Sequence, residues 1–245
     1  MKKVLLIVGV SAALIAGRAS GTELAAPTGR TLPAVGFSWT GFYIGGHIAG
    51  AFQQGDWSNV DPPGLNTSDA NFRHWGFAGG GQIGFNYQYK GFLLGIEAER
   101  SWSSLSETQN SCYATTFPAL QPQTCTTQSQ WFADVAVRLG VAWQRLLLYA
   151  KVGESWGHFN YDNGCMLCFS RNYYATETRA GRIAAGGIEY ALLDNLTLKI
   201  EYDYLDFGKE TLNFLGTSGD MFTQDIANRI HVLKLGVNYL FGWPR

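Results

Sequence analysis

Charge is what this sequence has little of. Only 15% of its 245 residues are charged, against about 25% in an average soluble domain. The charge present has no bias, with 18 Lys and Arg against 19 Asp and Glu. Without a basic excess or a basic patch, composition gives no support for nucleic-acid binding. Long apolar runs are missing too: no internal stretch approaches the ~20 residues of a membrane helix. Cysteine and histidine number four each. The histidines, His47, His74, His158 and His231, are scattered over different segments, and no Cys or His spacing makes a zinc site. The run Gly79-Gly-Gly81 is not a phosphate loop, since no helical pattern follows it.

What the chain does have is aromatic residues (14%), 30 glycines and a two-residue period. In the last segment, His231, Leu233, Leu235, Val237, Tyr239 and Phe241 share one face. Ile230, Val232, Lys234, Gly236, Asn238 and Leu240 share the other. Successive strand residues point to opposite sides, so this is a strand with one greasy and one mixed face. The pattern recurs over residues 39–52, 75–89, 91–103, 131–143, 147–159, 177–190, 196–204 and 230–241. Connections at 89–91, 144–146 and 191–195 are tight. Those at 53–74, 104–128, 160–176 and 205–227 are long and polar. Eight strands with turns short at one end and long at the other predict an all-β, antiparallel, up-and-down transmembrane β-barrel of eight strands. Its greasy face would meet lipid and its polar face a lumen, which explains a mean hydropathy of only −0.06. Aromatic girdles are expected at both interfaces. Trp39, Tyr87, Trp143, Tyr190 and Trp243 would form the one at the turn end, and Trp75, Trp102, Trp131 and Trp156 the other.

The N-terminus reads as an export signal. Met1-Lys2-Lys3 precede an apolar stretch, Val4–Ala16, and small residues around Ala19. The expected organisation is a signal peptide over 1–19, a flexible periplasmic tail rich in Pro and Gly over 20–38, and the barrel domain over 39–245.

An eight-stranded barrel is narrow enough for side chains to fill it. The inward positions carry the acids Glu97, Glu99, Asp134, Glu189, Glu201 and Asp203 and the bases Arg138, Lys151, Lys199 and Lys234. These are expected to form a charge network that plugs the lumen. The histidines are expected at rim or lumen positions with ordinary partners. The cysteines fall in two long connections, Cys112 and Cys125 in one, Cys165 and Cys168 in another. An exported, oxidising setting favours disulfides. Bridges within each connection are expected, with pairing between connections as the alternative.

The stretches Trp39-Thr-Gly-Phe-Tyr-Ile-Gly-Gly46, Gly79-Gly-Gly-Gln-Ile-Gly-Phe-Asn-Tyr87, Gly186-Gly-Ile-Glu-Tyr190 and Leu198-Lys-Ile-Glu-Tyr-Asp-Tyr-Leu205 carry a resemblance. So does Leu147-Leu-Tyr-Ala-Lys-Val-Gly153. The chain resembles the OmpA-like outer-membrane β-barrel family, and more narrowly the alphaproteobacterial outer-membrane immunogenic proteins, often labelled porin-family. In the ending Lys234-Leu-Gly-Val-Asn-Tyr-Leu-Phe241, the residues Lys234, Gly236, Tyr239 and Phe241 are similar to the assembly signal of such barrels. Family members typically stop at that aromatic, whereas this chain runs on through Gly242-Trp-Pro-Arg245. Arg182 stands where relatives tend to carry a lipid-facing aromatic. The resemblance implies a monomeric, integral protein of the bacterial outer membrane, loops outward, that supports envelope integrity. Implied partners are outer-membrane lipid and lipopolysaccharide, the barrel-assembly machinery and host surface molecules. It brings no catalytic residue, metal or cofactor. A narrow channel is the alternative function. A membrane-embedded acyltransferase is disfavoured, because it needs an apolar lumen.

Overall fold

The computed structural model describes residues 37–61, 70–109, 123–165, 172–217, 219 and 221–242. The expected signal peptide, most of the expected tail, Trp243, Cys112 and Cys168 lie outside them, as does the side chain of Cys165. Eight strands make the barrel: β1 (Gly41–Asp61), β2 (Ala70–Tyr89), β3 (Phe92–Gln109), β4 (Gln123–Trp143), β5 (Leu146–Cys165), β6 (Asn172–Ala191), β7 (Leu196–Gly216) and β8 (Met221–Gly242). Each pairs antiparallel with the next, and β8 pairs with β1 from Gly41 opposite Gly242 to Asp61 opposite Thr223. Closure is what lipid demands, since an open edge would leave backbone groups without partners at several kcal/mol each.

The outer wall carries a continuous apolar belt that includes Phe42, Ile83, Leu94, Val137, Leu148, Ile188, Ile200 and Leu235, all exposed. Water-soluble surfaces rarely expose apolar patches above a few hundred Å². On β3 the belt runs from Phe92 to Trp102. At ~3.3 Å per residue and a tilt of about 40°, that is about 25 Å of height, the thickness of a barrel's lipid-facing band.

The strands are much longer than that span. They run 18 to 22 residues, where crossing a bilayer takes about 9–11. Within the four stretches read from the sequence as long polar loops, the described residues are therefore almost all strand. The reason lies in a switch of faces. In the belt, β7 points Lys199, Glu201 and Asp203 inward and Ile200 and Tyr202 outward. Higher up the same strand points Leu205, Phe207, Leu212 and Phe214 inward and Lys209, Thr211 and Asn213 outward. β8 does likewise, with Ile226 and Ile230 buried above Lys234. Where the wall leaves lipid for water, the apolar side must move from outside to inside. Bulges gather near this boundary, with register shifts between Trp102 and Leu105, Ser129 and Trp131, and Asp206 and Lys209. The last is turned by Gly208, whose φ of 65° suits glycine, and Asp206 accepts the Gly208 N–H at 2.9 Å.

Above the boundary the barrel has an ordinary apolar core. Trp57, Phe72, Tyr161 and Phe214 cluster with ring centroids 5.0 to 6.4 Å apart, and Phe159 packs edge-on to Phe207 at 5.1 Å. At the opposite, short-turn end a second small cluster closes the lumen. Trp39 is 0% exposed there and packs with Leu93, Ala142, Leu147 and Ala191. Its indole donates to the Gln144 carbonyl at 3.3 Å. Trp39 thus belongs to an internal plug and not to the girdle, which is built instead by residues such as Trp143, 76% exposed. Phe37, assigned from the sequence to the tail, is part of this end as well: it meets Trp39 edge-on at 4.9 Å.

Candidate functional site

Between the two apolar ends lies the charged zone. Arg138 on β4 and Lys151 on β5 stand in direct register, both fully buried. The Arg138 guanidinium lies 3.6 Å from the Tyr149 ring centroid and forms an ion pair with Glu189. Glu189 also accepts from Thr197 Oγ1 and, at 2.8 Å, from Asn238 Nδ2. One layer up, Lys151 Nζ donates to Glu97 Oε1 at 2.6 Å and to Glu201 Oε1 at 2.9 Å. The second oxygen of each carboxylate accepts a tyrosine hydroxyl at 2.6 Å, Tyr43 for Glu97 and Tyr149 for Glu201. Lys199 sits 3.4 to 3.5 Å from Glu97, Glu99 and Glu201. Lys234 pairs with Glu99 and Asp203.

The structure puts nine of the ten expected network residues in ion pairs: Arg138 with Glu189, and the other seven in one cluster, the two groups joined through Tyr43 and Tyr149. Asp134 is the exception. It is buried beside Glu99 and Asp203, yet no cation lies in ion-pair distance among the described residues and its Oδ1 has no partner. Six carboxylates face four cations, so the lysines are shared between acids, and Asp134 is the acid that none of them reaches. Carboxylate oxygens of Glu97, Glu99 and Glu201 converge within 4.8 Å, but the Lys151 and Lys199 ammonium groups already serve them. Asp134 apart, the arrangement is a set of paired counter-ions, and among the described residues the charged zone shows no nucleophile hydrogen-bonded to a base and no apolar slot for a lipid tail.

Sequence reasoning placed the charges but missed their neutral partners. Tyr43, Tyr149, Thr197 and Asn238 look like ordinary barrel residues until the register aligns them with an acid. His47 completes the zone, bonding Gln82 and Ser101 at 2.8 Å each. Glycine keeps room for the rings: a Cβ on Gly187 would lie 2.6 Å from the Tyr149 hydroxyl. Arg179, unremarked in the sequence, fills a seam above the charged zone. There the β6–β7 ladder is interrupted between Tyr174 and Arg182. Its Nη1 donates to the Ile226 carbonyl at 2.9 Å, and Glu177 and Glu210 flank it at 2.7 and 3.2 Å. Burial pushes the Glu177 carboxyl above its usual range despite that neighbour.

The residues matched to the assembly signal split between two tasks. Lys234 is part of the network, while Tyr239 and Phe241 face outward and meet edge-on at 5.1 Å. Gly236 leaves space for the stem of Lys199, whose Cγ would lie 3.0 Å from an added Cβ. Arg182 faces lipid in register with Glu154 and Asp206. Of the other histidines, His74 lies beside Glu107, His158 stacks on Trp131, and His231 bonds Tyr202.

Cys125 is buried and disulfide-bonded. We expect non-reducing peptide mapping to join Cys112 to Cys125 and Cys165 to Cys168. A peptide linking Cys125 to Cys165 or Cys168 would show that the bridges tie different connections together.

Known proteins resemble this chain both in sequence and in fold. The chain is 32% identical over 231 residues to a 31 kDa outer-membrane immunogenic protein of Brucella melitensis, covering 90% of each. It is 27% identical over 171 residues to a 22 kDa outer membrane protein of Rhizobium leguminosarum bv. viciae, covering 69% of this chain and 65% of that one. Among solved structures, the outer membrane protease OmpT of Escherichia coli superposes with a TM-score of 0.50 at 10% identity, over 82% of this chain and 97% of that one. That likeness is one of fold alone. The pattern of the outer membrane protein beta-barrel domain matches residues 15–241, and the chain accordingly belongs to that family of bacterial outer-membrane proteins.

Proposed function

We propose that this protein is a non-enzymatic, non-conducting barrel that anchors the outer membrane and holds its long-connection end outward for surface contact. The observation that carries the reading is the double closure of the lumen. An ion-paired zone is followed by an aromatic core, and Trp39 caps the other end. A solute path would have to break buried ion pairs and then cross an apolar plug, and either barrier alone suppresses flow. The projecting strands support a role in presenting a surface, since their outward faces are polar and their interiors are packed as in a soluble domain. The relatives' name, immunogenic protein, agrees with exposure at the cell surface. In planar bilayers, the purified protein is expected to give no steady conductance. A stable, large, ohmic conductance would overturn the closed reading in favour of a channel. A strain lacking the protein is expected to become more sensitive to detergent. Unchanged sensitivity together with lost uptake of a small solute would do the same.

A further inference from the structure

Most outward arginines near the upper edge of the apolar belt have acidic company. Arg229 lies 3.9 Å from both Asp56 and Asp206, and Arg182 sits in register between Glu154 and Asp206. Arg100 on β3 is different. It is exposed on the lipid-facing side, two residues from Trp102, and its register neighbours are Gly81 and Ala133. Among the described residues no carboxylate lies in ion-pair distance of it and no acceptor takes its N–H groups. Two indoles hold it instead. The guanidinium carbon is 4.6 Å from the Trp131 ring centroid and 5.3 Å from that of Trp102. His158 extends the stack, with its ring parallel to Trp131 at 5.9 Å and its Nδ1 fixed on Thr178 Oγ1 at 2.9 Å.

Stacking between indoles orients the planar fork while leaving its five donors free. A fixed, uncompensated guanidinium at the headgroup level needs an anion, and the geometry matches the oxygens of a phosphate, which Arg binds with two parallel bonds. Beneath it the wall is smooth. Gly46 and Gly81 face each other across β1 and β2, and Gly81 faces Arg100. Gly81 lines a shallow depression with Ile44, Ile83, Ala98 and Arg100, and Gly46 lies beside it. Unlike the lumen glycines, these two are not forced by crowding: an added Cβ on either would find its nearest atom at 3.4 to 3.6 Å. A phosphate on Arg100 would therefore sit above a surface open to an acyl chain.

We infer that Arg100, Trp102 and Trp131 form a headgroup site for one phosphorylated glycolipid of the outer leaflet, its phosphate on the guanidinium and an acyl chain along the Gly46–Gly81 wall. The leaflet follows from the orientation proposed above, but the binding measurement does not depend on that orientation. The test uses full-length protein folded in zwitterionic detergent, with bound lipid counted by native mass spectrometry. The probe is a bisphosphorylated diglucosamine lipid, the membrane-anchoring part of lipopolysaccharide. Its dephosphorylated form and inorganic phosphate serve as the other arms. Arg100→Gln is expected to weaken retention of the bisphosphorylated lipid about tenfold, as loss of a charge-assisted pair implies. Arg100→Lys should fall between, and Arg182→Gln should match the unsubstituted protein. Equal retention by the protein and its Arg100→Gln and Arg100→Lys forms would overturn the inference. So would equal retention of the dephosphorylated lipid, or full competition by inorganic phosphate. The Arg100→Lys form, which keeps the charge but not the planar fork, decides the matter if the glutamine variant does not fold.

Discussion

Replacing Arg138 by Met is expected to lower the barrel's resistance to unfolding more than any other single change in the charged zone. The side chain is fully buried, ion-paired to Glu189 and stacked on Tyr149. Removing it leaves Glu189 without its cation, and breaking a buried pair from one side costs about 3–5 kcal/mol. The double change Arg138→Met with Glu189→Gln removes both charges and should recover part of that loss. Thr197 and Asn238 still find an acceptor there, in the carbonyl oxygen of the new side-chain amide. Asp134→Asn should act the other way. Asp134 has a buried, unpaired oxygen and no cation in ion-pair distance among the described residues, so neutralising it is expected to leave stability unchanged or raise it by about 1 kcal/mol. The readout is the temperature at which the folded, faster-migrating band on unboiled gels converts to the unfolded one. A double variant no better than Arg138→Met would mean that Glu189 is not the partner that matters.

The second large effect concerns the part of the barrel that stands beyond the lipid. Trp57 is 1% exposed and packs on Phe72, Tyr161 and Phe214 from three other strands. Trp57→Ala should cost about 3–5 kcal/mol, the usual range for deleting a buried aromatic. The loss should be local. Limited proteolysis is expected to cut the projecting ends of β1, β2, β5 and β7 in the variant, while the charged zone keeps its gel mobility. If proteolysis already cuts residues 53–61 and 205–216 in the unsubstituted protein, those segments are loops in solution and the apolar core above the membrane does not exist.

That contrast shows what was legible in the chain. Strand number, the facing of each residue within the belt and closure by β8 follow from period two and from the alternation of short and long connections. Glu97, Arg138 and Lys151 could be assigned to the lumen because Ile96, Val137 and Val152 beside them had to face lipid. The upper strands were not legible by the same rule, because the rule inverts there. Polar residues around Trp57 and the Gly208 bulge break the period where the solvent changes, and a reader counting greasy outward residues sees only a polar loop. Trp39 misled for a related reason. Near a strand end an indole can sit at the girdle or turn inward as a plug, and only the Gln144 carbonyl and the packing on Leu93 and Leu147 distinguish the two. The missing counter-ion of Asp134 was not visible at all, since it depends on which lysine each acid captures.

The inversion of faces along a single strand is tested most directly by a labelling scan of β8. A single cysteine bearing a fluorophore is placed in turn from residue 225 to 239, in protein with the native cysteines replaced by serine and reconstituted in lipid. Quenching by brominated acyl chains is predicted at 233, 235, 237 and 239, and quenching by a water-soluble agent at 225, 227 and 229. Positions 226 and 230 should be shielded from both, because Ile226 and Ile230 are fully buried. Lipid quenching that continues with the same period up to residue 225, or aqueous quenching at 226 and 230, would contradict the inversion.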